Sequence, residues 1–152
     1  MILASGQNRA SVVSLLLAKG AKPETQNKDG STALILAAGH SREEVVRLLL
    51  ANGANLNSAN RWGVTALIAA AEQGHARVVR WLLVGGAELD TPSSHGETAL
   101  HRAVCRGFME VVRLLLTHGA NINLTNRYGD TALYMATRHV ERARLLRIKG
   151  AK

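Results

Sequence analysis

Two side chains that could do covalent chemistry stand four residues apart, His101 and Cys105. On a helix that spacing puts them on one face, and a thiol beside an imidazole is the starting point for nucleophilic catalysis. Such chemistry also needs an orienting group and an enclosed site, and nothing in the surrounding sequence supplies them. The six histidines show no spacing with thiols or carboxylates that suits a metal. Glu43-Glu44 lies on the polar side of an amphipathic segment, where solvation accounts for it. No glycine-rich loop is arranged to cradle a phosphate. The side chains that remain suit binding: Arg61-Trp62 and Arg127-Tyr128. Trp, Tyr and Arg are the residues most enriched where interfaces concentrate their energy.

These pairs sit in a periodic frame. Gly30, Gly63, Gly96 and Gly129 recur every 33 residues, as do Gly20, Gly53, Gly86 and Gly119. Thr-Ala-Leu begins at Thr32, Thr65, Thr98 and Thr131 with the same step. A fixed period of this size marks a stacked-repeat solenoid, which presents a long surface rather than a pocket. In the copy from Ser93 to Thr125, the polar run before Gly96 reads as a turn and Thr98 as an N-cap. A first helix is expected from Ala99 to Arg106, stopped at Gly107, and a second from Met109 to Thr117. Val111, Val112, Leu114, Leu115 and Leu116 give the second helix a wide apolar stripe, and Gly119 suits a left-handed C-cap.

With Gly-Glu-Thr-Ala-Leu-His from Gly96, Glu-Val-Val-Arg-Leu-Leu-Leu from Glu110 and His-Gly-Ala-Asn-Ile-Asn from His118, the chain resembles the ankyrin-repeat family over essentially all 152 residues. The resemblance implies an all-α ankyrin-repeat solenoid of helix-turn-helix-loop units. The expected division is a truncated repeat 1–26, full repeats 27–59, 60–92 and 93–125, and a shortened C-terminal capping repeat 126–152. The family's Thr-Pro-Leu-His departs here. Ala33, Ala66, Ala99 and Ala132 replace the proline, and Ile35, Ile68 and Tyr134 replace the histidine that only His101 keeps. Alanine sustains the helix but does not preset φ.

The two ends differ. Met1 aligns with Leu34, so the chain begins inside a repeat, its first helix cut to about Met1–Ser5 and its second, Val12–Leu17, intact. Ile2 and Leu3 then lack an upstream neighbour, which points to a longer parent protein or to an end that self-associates. At the other end, Arg142 and Arg147 replace the Val and Leu of earlier copies, which reads as a solvated cap, with a binding patch as the alternative. The formal charge is +8, with +5 of it in residues 127–152, favouring an acidic partner. A hydrophobic content of 47% supports a core, and one cysteine excludes an intrachain disulfide and suits a reducing compartment. The sequence shows no signal-peptide pattern and no apolar run of the ~20 residues that span a bilayer. The sequon Asn123-Leu124-Thr125 reads as a chance match. An intracellular location, cytoplasmic or nuclear, is expected, with a secreted effector left open.

By the resemblance, partners are met by turn tips and by the exposed, concave side of the first helices. Carried over by position, the candidate contacts are Lys28, Asp29, Arg61, Trp62, Val64, His95, Arg127 and Tyr128 at the tips, and His40, Gln73, Arg106 and Arg138 on the helices. Trp81 is expected in the core, because it takes the place of Leu48 and Leu114. The function expected is a non-enzymatic protein–protein interaction module with an acidic partner and no cofactor. The alternative is a basic nucleic-acid or nucleotide-binding repeat domain, with Trp62 or Tyr128 stacking on a base.

Overall fold

The computed structural model describes residues 1–7, 9–137 and 148. Its helices come in antiparallel pairs. The first member of each pair is α1 (Ile2–Gly6), α3 (Ala33–Gly39), α5 (Ala66–Glu72) or α7 (Ala99–Arg106). The second is α2 (Ala10–Ala18), α4 (Glu43–Ala51), α6 (Ala76–Val84) or α8 (Met109–Thr117). A last short helix, α9, spans Ala132–Met135. First helices stack on first helices along the series α1, α3, α5, α7, α9, and second on second along α2, α4, α6, α8. The result is an all-α solenoid of two helical layers. Both helices expected in the copy from Ser93 are found at the predicted bounds.

The first helices α3, α5, α7 and α9 start on a threonine hydroxyl, whereas α1 follows Met1 with no side-chain cap. Thr32, Thr65 and Thr131 accept from the N–H of Ile35, Ile68 and Tyr134 at 3.4, 3.3 and 3.2 Å. Such a cap contributes about 1 kcal/mol. The alanines that replace proline at the next position are buried, so their small size serves close helix packing as well as propensity. The second helices bury one narrow arc: Val45, Val46 and Leu49 in α4, Val78, Val79, Leu82 and Leu83 in α6, and Val111, Val112 and Leu115 in α8.

That arc corrects the expectation for Trp81. The residue is 43% exposed. At about 100° per residue, it stands about 60° outside the arc from Val78 to Leu83. Leu48 and Leu114 at the same position are half-buried rather than core. The indole instead lies beneath a guanidinium, with Arg47 Cζ 5.4 Å from its ring centroid.

In the loops that follow the second helices, a second periodic device ties neighbours together. Glu24 accepts from the Asn55 N–H at 2.8 Å, Asn57 Oδ1 from the Glu88 N–H at 3.0 Å and Asp90 from the Asn121 N–H at 3.0 Å. Acceptor and donor both advance by 33 residues per step.

Where the other copies have Ile35, Ile68 and Tyr134, His101 adds a side-chain bond back to the cap N–H. Its Nδ1 accepts from the Thr98 N–H at 3.3 Å, completing a capping box, while Nε2 lies 3.3 Å from the Asp130 carbonyl. Accepting at one nitrogen and donating at the other defines the neutral Nε2–H tautomer. Burial pushes this imidazole below its ordinary 6.5, against the bonds to Asp130 and Leu124 and the charges of Glu97 and Asp130. The folded ring therefore refuses a proton that the unfolded chain accepts. Stability should be level above the ordinary imidazole range and fall as pH drops through it toward the lower folded value. Urea midpoints between pH 8 and pH 5 should show this fall, with a shallower slope in His101→Gln. Equal slopes would remove His101 as the cause.

At the N-terminal end, Leu3, Val12 and Leu15 are exposed, whereas the valines equivalent to Val12 (Val45, Val78 and Val111) are fully buried. The residues proposed for the C-terminal cap, Arg142 and Arg147, lie outside the described residues.

Candidate partner-binding surface

The tips are built from the inside by one side-chain oxygen each. Asn27 Oδ1 accepts from the N–H groups of Asp29 and Ser31 at 2.9 Å, and Asn60 Oδ1 from those of Trp62 and Val64 at 3.0 Å. Ser93 Oγ accepts from His95 and Glu97 at 3.3 Å, and Asn126 Oδ1 from Tyr128 and Asp130 at 2.9 and 3.0 Å. Sequence reasoning missed these residues. Their signal was available, since an Asn or Ser stands three places before each turn glycine. Adjacent tips are then joined through the backbone: Arg61 N–H to Asp29 O at 3.1 Å, Ser94 N–H to Trp62 O at 2.8 Å and Arg127 N–H to His95 O at 3.0 Å. The tips form a ladder whose side chains project from a fixed base.

On this ladder the structure sets Trp62, His95 and Tyr128 at one position of successive tips, following Asp29. All three rings are exposed, Trp62 by 46% and Tyr128 by 77%. Lys28, Arg61 and Arg127 stand beside them, also exposed, and Val64 is half-buried. Arg61 is held on three sides. Its guanidinium donates to the Lys28 carbonyl, lies 3.9 Å from Asp29 and sits 5.7 Å from the Trp62 ring centroid. Asp29 thus positions a cation more than it presents a charge of its own.

The first-helix layer carries a charged chain that the sequence did not reveal. Arg106 reaches Glu72 at 2.9 Å, Glu72 meets Arg102 at 3.4 Å, and Arg102 Nε lies 2.7 Å from Glu97. These partners are 30 and 34 residues apart across the α5–α7 junction. The bond to Glu72 raises the Arg106 guanidinium further above its ordinary value, so its charge is permanent. Next to this network, between α3 and α5, runs an open groove of about 390 Å³ that brings together His40, Val64 and Gln73. His40 Nδ1 lies 2.8 Å from the Leu36 carbonyl, which turns the ring along its own helix. Arg138 lies outside the described residues.

The thiol reading finds no support in this geometry. Both ring nitrogens of His101 are engaged, by Thr98 and Asp130, while Cys105 is exposed. Among the described residues no cluster of three or more His, Cys, Asp or Glu side chains could hold a metal. None of the described helices is long and apolar enough to cross a membrane.

A family model described as ankyrin repeats (3 copies) matches residues 1–93 and 79–152, the whole chain between them. The chain belongs to the ankyrin-repeat family. No curated protein matches it. Ankyrin repeats are generally protein–protein interaction modules and typically not enzymes. In this ankyrin stack each tip runs directly into a first helix, at Thr32, Thr65 and Thr98.

Proposed function

We propose that this ankyrin-repeat chain binds an acidic surface or segment of another protein through its turn tips and concave helix face. The observation that carries the reading is the tip ladder: exposed Trp62, His95 and Tyr128 in one row, flanked by Lys28, Arg61 and Arg127. Rings with few rotatable bonds, set on a hydrogen-bonded base, lose little freedom on binding, so more of the contact energy survives as affinity. Asp29, Val64, His40, Gln73 and Arg106 complete the surface on this reading, with Arg138 as its extension. The exposed rings beside cations would also suit stacking on single-stranded nucleic acid. Exposed Leu3, Val12 and Leu15 favour end-to-end association as an additional contact.

One set of titrations separates these readings. Against a protein partner recovered with the parent chain, Trp62→Ala and Arg127→Glu should each weaken binding by about 2 kcal/mol, roughly 30-fold. Unchanged affinity in both variants would overturn the surface assignment. Tight binding of a single-stranded oligonucleotide at low salt, lost at high salt, would favour the nucleic-acid reading instead. Light scattering of the same samples tests association, and a strict monomer at high concentration removes it.

A further inference from the structure

The groove between α3 and α5 exists because two residues depart from the pattern of the stack. Ala69 stands where α3 has Leu36 and α7 has Arg102. Gly39 stands where α5 has Glu72 and α7 has Cys105. At the next junction, Arg102 and Glu72 fill the corresponding space with their ion pair. Between α3 and α5 nothing fills it, and about 390 Å³ stays open. Ile35, Leu36, Gly39, Ala69 and Val64 give it an apolar strip, with polar side chains, Gln73 and Glu72 among them, along its rim. A cavity of about 150 Å³ already holds a benzene ring, so the groove has room for one large apolar side chain and the backbone that carries it.

Charge surrounds this strip unevenly. Arg61 on the tip side and Arg106 on the far side are both more than half exposed. The Glu72 carboxylate lines the groove, but it and Glu97 are less than a quarter exposed, each held by Arg102. A segment approaching the groove therefore meets guanidinium groups first.

We infer that the α3–α5 groove is the anchor pocket for an extended peptide segment of the partner protein, receiving one large apolar side chain flanked by carboxylates. The inference rests on the proposed interaction function and adds the partner's chemistry. The pocket admits Leu, Met or Phe against Ala69 and Gly39, and the flanking carboxylates pair with Arg61 and Arg106.

The two departures supply the test. A Cβ added at Gly39 meets only Ala69 Cβ, at an ordinary 3.6 Å. Gly39 is also helical, so alanine there should hold or raise Tm. Ala69→Leu places a side chain that Leu36 already shows the fold accepts. A phage-displayed library of random 12-residue peptides is panned on the full chain, and the enriched peptides are synthesised and titrated. The expected peptides carry one Leu, Met or Phe between Asp or Glu residues. Ala69→Leu should weaken them by about 10- to 200-fold, Gly39→Ala by less, with Tm at or above the parent's in Gly39→Ala. Peptides without an apolar anchor, or affinity unchanged in both pocket variants, overturn the inference, as does failure to enrich any peptide. Sensitivity to Trp62→Ala and Arg127→Glu without sensitivity to Ala69→Leu would leave the tip surface standing and remove the pocket. The reverse pattern would leave the pocket and remove the tips.

Discussion

Gly63→Ala should destabilise the chain by about 2–5 kcal/mol, while Gly53→Ala should cost about 1–2 kcal/mol. Both glycines have positive φ, +70° and +76°. The left-handed conformation penalises an L side chain equally at either site. Their surroundings differ. A Cβ at Gly53 meets nothing within 4 Å, whereas one at Gly63 falls 2.8 Å from Ser94 N and 3.0 Å from Ser93 C and Cα. Backbone atoms cannot rotate aside as a side chain can, so the tips must separate. The Ser94 N–H to Trp62 O bond, 2.8 Å long, is strained with them. Urea denaturation of the two variants measures the difference. Equal losses would mean that the close approach of the tips adds no constraint beyond φ.

The second large effect is in the core. Leu82 has no exposed surface and lies in α6, which stacks against both α4 and α8. Leu82→Ala removes buried methyl groups and leaves a cavity that rigid helices close poorly, at about 2–5 kcal/mol. Total stabilities are about 5–15 kcal/mol, so the loss is a large fraction. In a solenoid each unit contacts only its neighbours. Weakening a middle unit therefore loosens two junctions and should uncouple the segments on either side. The expected signature is a lower urea midpoint together with a smaller m value, since less surface is exposed in one cooperative step. A loss below about 1 kcal/mol with unchanged m would show that the site collapses to fill the space.

What the sequence revealed, and what it hid, follows from the range of each interaction. The threonine caps and the Val/Leu arcs are local and repeat at a fixed step, so the helices could be placed from residue types alone. The exposed position of the tip residues followed from the same register. Trp81 differs from its expected place because the aligned Leu48 and Leu114 are themselves only half-buried, and a larger ring at that angle must emerge. The Glu97–Arg102–Glu72–Arg106 chain has no sequence periodicity, because it depends on which unlike residues face each other across one junction. The α3–α5 groove was equally hidden. It arises from the absence of side chains at Gly39 and Ala69, and only stacking shows which absences coincide.

The ties between neighbours also make the 33-residue unit an exchangeable part. Excising residues 60–92 would bring the Ser94 N–H to the Asp29 carbonyl in place of the Trp62 carbonyl. It would likewise bring the Asn121 N–H to Asn57 in place of Asp90. The tip ladder and the loop ties would both reclose with no backbone donor abandoned, and duplication would extend them by the same rule. Recombination at this step can therefore shorten or lengthen the chain's reach, adding or deleting whole blocks of recognition, without redesigning the joint.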